Sequence, residues 1–189
     1  MELNKGYTKK VGQSIEKTLD KMMEDAENMF PYIIGAKSKY FEILEYLFCN
    51  QDYILTPVQI NYLLDYCRPP LCQSGEMCFP LLAQMLRSAE RTNDLNLICK
   101  VYINGVYLYE NHEYNAKKIE LLKGGIDYFL SKHADQNVGE LYLKIAESCW
   151  VDEDQRMNCC AEAIKYLAKN TEQYAHAITL MQSLQKSEK

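Results

Sequence analysis

The run ICKVYINGVYLY, residues 98–109, is the most strand-like stretch of the chain, and its reading decides the fold class. β-Branched and aromatic residues of this kind are at home in a strand. Their spacing says otherwise. Ile98, Val101, Tyr102, Gly105, Val106 and Tyr109 recur as one face of a 3.6-residue helix. Asn93 and Asp94 stand just upstream, where a side-chain oxygen can accept from the free N–H groups of a helix start. The run therefore reads as a helix, and with it goes the last candidate strand.

Outward from this run the period stays helical. Val11, Ile15, Leu19, Met22, Met23, Ala26 and Phe30 form the stripe of a long first helix closed by Pro31. Phe41, Leu44, Leu47 and Phe48 mark a second. Thr56-Pro57-Val58-Gln59 is a capping box with Pro at the first helical position. It opens a third helix with Ile60, Leu63, Leu64 and Cys67 inward, ended by Arg68-Pro69-Pro70. Ser74 is a candidate cap for a fourth, although Pro80 forces a later start or a bend. Downstream of 98–109, Ile119, Leu122, Ile126 and Phe129 give a sixth helix containing Gly124-Gly125, which predicts a close helix crossing or a kink. Val138 to Cys149 is a seventh stripe. Asp152-Glu153-Asp154-Gln155 opens an eighth, and Asn170-Thr171-Glu172-Gln173 a ninth. The fold class is all-α, in a single helical domain over residues 1–189.

Composition narrows the function classes. The 189 residues are 48% apolar and 25% charged, ordinary for a globular chain. A chain of this length buries roughly 70% of its unfolded surface, so it needs neither metal nor disulfide to hold a core. The net charge of −5 argues against nucleic acid, which rewards a basic face. Lys9-Lys10 and Lys117-Lys118 read as solvated helix faces. No run of eighteen apolar residues exists, so no membrane span is expected. The start MELNKGYTKKVGQSIEK lacks an apolar signal segment, which points to the cytoplasm. In that compartment the eight cysteines read as free thiols used as small buried side chains. Cys99, Cys149 and Cys160 fall on apolar stripes accordingly.

Short linkers make neighbouring helices antiparallel hairpins. Helix starts near 56, 94, 137 and 171 lie about 38, 43 and 34 residues apart, in the range of helix-turn-helix solenoids. Over residues 94–186 the chain resembles the tetratricopeptide repeat. VYINGVYLYEN, with Tyr102, Asn104-Gly105 and Leu108, is similar to the first helix of that motif. So is ELYLKIAESCW, with Tyr142, Ile145-Ala146 and Cys149. CCAEAIKYLAKN, with Cys160, Ala163, Ile164 and Leu167, is similar to the second helix. Ala146 stands where the motif has Gly, Lys169-Asn170 where a Pro often closes the repeat, and Val138 to Leu167 is about two residues short. Residues 1–91 carry helices without a clear repeat. The resemblance implies hairpins stacked as a right-handed superhelix, with an irregular helical bundle as the alternative.

Chemistry is sparse by comparison. Cys67, Cys72 and Cys78 in LDYCRPPLCQSGEMC, residues 64–78, miss the C-x2-C spacing of a zinc knuckle, and no His is near. That stretch reads as a Pro-bounded joint between helices. Cys159-Cys160 reads as one core thiol with a neighbour beside it. His112, His133 and His176 belong to no metal motif, and there is no P-loop, G-x-G-x-x-G or G-x-S-x-G. The expectation is a non-enzymatic module without cofactor that binds a protein or peptide. Such a module suits a sensor or scaffold of a bacterial-type signalling or regulatory system, or a peptide receptor without a DNA-binding head. Self-association into a homodimer stays open, because the helix from Thr171 ends the array. The alternative is a metal-binding or enzymatic protein using the Cys67–Cys78 region. In tetratricopeptide arrays the first helices line a concave groove, and the resemblance carries partner contact onto Tyr102, Tyr109, Glu140, Glu147 and Trp150. Tyr102 and Tyr109 fit the core stripe equally, and Trp150 also fits as a plug of its hairpin turn.

Overall fold

A computed structural model describes residues 2–29, 33–66, 78–109 and 114–187 of the chain. All of its regular structure is helical among these residues, with no strand. The helices are α1 (Glu2–Met29), α2 (Ile33–Cys49), α3 (Pro57–Tyr66), α4 (Cys78–Glu90), α5 (Leu95–Gly105), α6 (Asn115–Ser131), α7 (Asp135–Glu147), α8 (Glu153–Tyr166) and α9 (Glu172–Ser187). None among the described residues is long and apolar enough to cross a membrane. Contacts divide the chain into two compact units, residues 1–93 and 94–189.

In the first unit α1 packs on α2, and α4 on α2 and α3. Thr56 and Gln59 form the expected box. The Gln59 N–H donates to the Thr56 hydroxyl (3.3 Å), and the Thr56 N–H donates to Gln59 Oε1 (3.0 Å). The same Gln59 is buried and ties α3 to α1 by donating to Asp20 Oδ1 at 2.7 Å. Two more buried polar side chains satisfy the turn after α2. Gln84 donates to the Asn50 and Tyr53 carbonyls, and Ser88 accepts from the Leu55 N–H. The α2 stripe differs from expectation. Tyr40, Ile43, Leu44 and Leu47 are buried, whereas Phe41 and Phe48 are 52% and 45% exposed. Helix α2 carries Lys37, Lys39, Glu42 and Glu45, and at helical spacing Phe41 and Phe48 fall at the edge of the arc that Tyr40, Ile43, Leu44 and Leu47 cover. Pro80 sits in the first turn of α4, where a missing N–H costs nothing. Pro31, Ser74 and the joint from Cys67 lie outside the described residues.

In the second unit α7 is the central element. It packs on α6 and α8 as hairpin partners and on α5 and α9 alongside. Residues 98–109 are helical as their spacing required, but the α-helix stops at Gly105 and tightens into a 3-10 turn over Val106–Leu108. Tyr109 thus lies beyond the helix. Asp94 caps α5 through its carboxylate, which accepts from the Asn96 (3.0 Å) and Leu97 (3.1 Å) N–H groups. Asp152 caps α8 by accepting from Gln155 N–H at 2.8 Å, and the Thr171 hydroxyl caps α9 through Tyr174 N–H. The Gly124-Gly125 pair resolves into two roles. A Cβ on Gly125 would come within 2.9 Å of Leu141 and of the Tyr102 ring, whereas Gly124 faces open space. The close crossing is therefore at Gly125, where α6 meets α5 and α7. Gly139 makes a second one, with Leu167 2.7 Å from the place of its Cβ.

Candidate functional site

The five residues that the repeat resemblance singled out do not form one surface. Tyr102 is 8% exposed, and its ring packs on those of Tyr128 and Phe129 at 6.4 and 6.2 Å. It is part of the α5–α6–α7 core. Tyr109 is half-buried beside the Tyr114 ring (6.1 Å), and burial raises its pKa, with Glu120 adding to the effect. Trp150 is half-buried in the α7–α8 turn, under the ammonium group of Lys118 at 5.0 Å, a cation–π contact. That Lys118 is itself buried and donates to Asn115 Oδ1 at 3.4 Å.

Glu140 and Glu147 do share a face, on α7 between α5 and α9. With Ile103, Leu143, Lys144 and Gln173 they line a shallow recess of about 230 Å³. Its polar groups are largely engaged with one another. Lys144 Nζ donates to the Tyr107 hydroxyl at 3.0 Å and lies 5.0 Å over that ring. Glu147 meets His176 Nε2 on α9 at 2.9 Å. Gln136 donates to Glu140 Oε1 at 3.0 Å and accepts from the Ala168 N–H at 3.1 Å. The Cys99 thiol, 3.8 Å from Glu140 Oε2, is pushed up to about 12 by burial above all, so it stays protonated at neutral pH. These contacts stitch α5, α7 and α9 together and leave little for a ligand.

A larger cleft opens on the opposite side of α7, between α6 and α8. Its volume is about 680 Å³, within the range of ligand pockets. Ile119 and Ile126 from α6, Ile145 from α7 and Val151 before α8 supply an apolar floor, and Lys123, Asp127, Gln155 and Asn158 a polar rim. Among the described residues no side-chain hydrogen bond or ion pair engages these four rim side chains. Tyr142 and Cys159 close the end. The Tyr142 ring stacks on Tyr166 at 6.1 Å, and its pKa is raised by burial first, then by Glu162. Burial also raises the half-buried Cys159 thiol, against the opposing pull of Lys123. Trp150, the one tryptophan of the chain, directly precedes Val151 of the cleft lining in sequence.

Sequence reasoning missed this cleft. Ile119 and Ile126 were assigned to a core stripe, and the signal was the polar pair Lys123 and Asp127 on the edge of that stripe. One thiol assignment comes out differently as well. Cys160 is buried with its thiol pushed up to about 11, chiefly by burial, but Cys149 is exposed rather than on a core stripe. Residues 67–77 of the Cys67–Cys78 stretch, and His112, lie outside the described residues. Among the described residues no group of three or more His, Cys, Asp or Glu side chains is placed to hold a metal ion. Comparison with family models, with curated proteins and with solved structures finds no match to this chain.

Proposed function

We propose that the chain is a non-enzymatic helical module of tetratricopeptide-like character that binds a protein or peptide partner in the cytoplasm. In this reading α5–α6 and α7–α8 are successive repeats of a right-handed superhelix, and α9 is the first helix of the next. The observation that carries it is the cleft between α6 and α8, with its apolar floor and a rim of side chains that no hydrogen bond or ion pair engages within the described residues. An apolar recess edged by a few convergent polar groups is the usual form of a recognition site. It lies on the face opposite the Glu140–Glu147 groove, whose own polar groups bond α7 to the turn after α5, to the link after α8 and to α9.

Selection of displayed peptides of about sixteen residues, roughly four helical turns, on the purified chain tests the reading. Saturable change in Trp150 emission on titration with the enriched peptides is the expected result. A library that enriches nothing above an empty surface, in repeated rounds, rejects it.

A further inference from the structure

We propose that α9 is a detachable strap. It lifts off the α7–α8 hairpin as a unit while the rest of residues 94–189 stays folded, and it uncovers a strip of apolar side chains with the Cys160 thiol among them. The proposal goes beyond the peptide-binding reading and does not depend on the α6–α8 cleft.

The hold on α9 is slight. Among its described residues α9 buries Ala177 and Leu184, two turns apart and so on one side of the helix. They close two separate small clusters. Ala177 packs with Leu143, Ala163 and Leu167, and Leu184 with Ala146 and Cys160. Tyr174, Leu180 and Met181 are half-buried at the edges. The opposite side of α9, with Ala175, Thr179, Gln182 and Lys186, is exposed. The His176–Glu147 pair that ties α9 to α7 joins side chains 53% and 38% exposed, and a solvated pair of this kind contributes little.

What α9 leaves behind has its own support. Ile98, Val101, Leu122, Phe129, Val138 and Leu141, all at 0% exposure, belong to neither cluster that α9 closes. Helix α8 is fixed to α7 without α9. Arg156 donates to the Ala146 carbonyl, Tyr166 stacks on Tyr142, and Leu167 sits against Gly139. The link between α8 and α9 divides accordingly. Leu167 is pinned at Gly139 and the Ala168 N–H at Gln136, whereas Lys169 and Asn170 are exposed. These two residues are where the chain bends. Proteins open in cooperative units of unequal stability, and a helix covered on one side by few apolar contacts belongs to the low end.

Two thiols report the two kinds of opening. Cys160 is 0% exposed and shares its cluster with Leu184, so it is reached when α9 lifts. Cys99, on α5, is 2% exposed and in neither cluster, so it is reached when the core opens.

The test holds the full chain in iodoacetamide far beyond the time that consumes the exposed thiols. Urea runs from zero to below the unfolding midpoint, and adducts are mapped by mass. Without urea Cys160 is expected to react about tenfold or more faster than Cys99, and with a shallow urea dependence, because the slope follows the surface that an opening exposes. Cys99 is expected to show the steep dependence of whole-unit unfolding. Leu184→Ala, verified as folded by circular dichroism, is expected to raise the Cys160 rate by about tenfold or more and to leave Cys99 unchanged. Tyr166→Ala, which removes the stack on Tyr142, is expected to leave the Cys160 rate unchanged. Cys160 and Cys99 reacting at one rate with one urea slope would overturn the strap, since α9 would then leave only with the core. A rise for Tyr166→Ala as large as that for Leu184→Ala would overturn it as well, because α8 would be lifting with α9. The comparison of the two thiols in the parent chain needs no variant, so it decides the matter even where Leu184→Ala does not fold.

Discussion

At the scale of single residues, adjacent glycines with opposite surroundings give the sharpest contrast. Gly125→Ala places a methyl group 2.9 Å from Leu141 and the Tyr102 ring, and overpacking of this kind costs about 1–3 kcal/mol. Gly124→Ala meets nothing within 4 Å and removes a helix-interior glycine, a gain of about 0.8–1 kcal/mol. Urea midpoints of the two variants should move in opposite directions from the parent. The thiols divide in the same way. Native alkylation at neutral pH should reach Cys49 and Cys149, which are exposed, ahead of half-buried Cys159, and should spare Cys99 and Cys160, as peptide mapping by mass would show. Cys99 also links stability to pH. Its thiol keeps its proton to about 12 when folded, against an ordinary value of 9.0. Protonation in the folded state therefore contributes fully below pH 9, and the contribution is lost as pH rises from 9 towards 12. Urea midpoints measured from pH 8 to 10.5 should fall less steeply for Cys99→Ala than for the parent.

Helices are the next scale, and here their starts were more legible than their faces. A cap is local. Asp94, Asp152 and Thr171 each accept from N–H groups two or three residues ahead, so a reader of the sequence can place the start without knowing the fold. Asp94→Ala and Asp152→Ala should each cost about 1 kcal/mol in chemical denaturation, with Asp94 the larger because it serves two N–H groups. A face is not local. On α2 the stripe through Phe41 and Phe48 follows one edge of the apolar arc, yet Tyr40 and Ile43 are inside, since packing on α1 and α4 chose which part of that arc is covered. The end of α5 shows the same limit. Its apolar spacing runs on to Tyr109, but the backbone tightens at Val106, and no residue there announces the change. The cleft was illegible for a related reason. It exists because α6 and α8 flank α7 with a gap between them, and the width of a gap is set by neither helix alone. The Gly139–Leu167 approach likewise joins residues far apart in the chain.

For the whole molecule, the division at Asn93 and Asp94 makes a claim about cooperativity. Asn93 adopts a left-handed backbone (φ 56°) and is exposed, a conformation Asn tolerates at a helix end, and Asp94 caps the next helix from within its own unit. Residues 94–189 hold their own core, with Ile98, Val101, Leu108, Leu122, Phe129, Val138, Leu141 and Ala163 at 0% exposure. They also contain every residue that lines the α6–α8 cleft. A unit of this length buries between about 60% and 70% of its unfolded surface, enough to fold without disulfide or metal. The isolated fragment 94–189 should therefore show a helical far-ultraviolet spectrum, unfold cooperatively in urea, and bind cleft-selected peptides as the full chain does. Loss of helix in the fragment would mean that residues 1–93 supply stability which the core of the second unit lacks. Retained helix with lost peptide binding would place a necessary part of the site outside residues 94–189, and so outside the cleft as its lining residues define it.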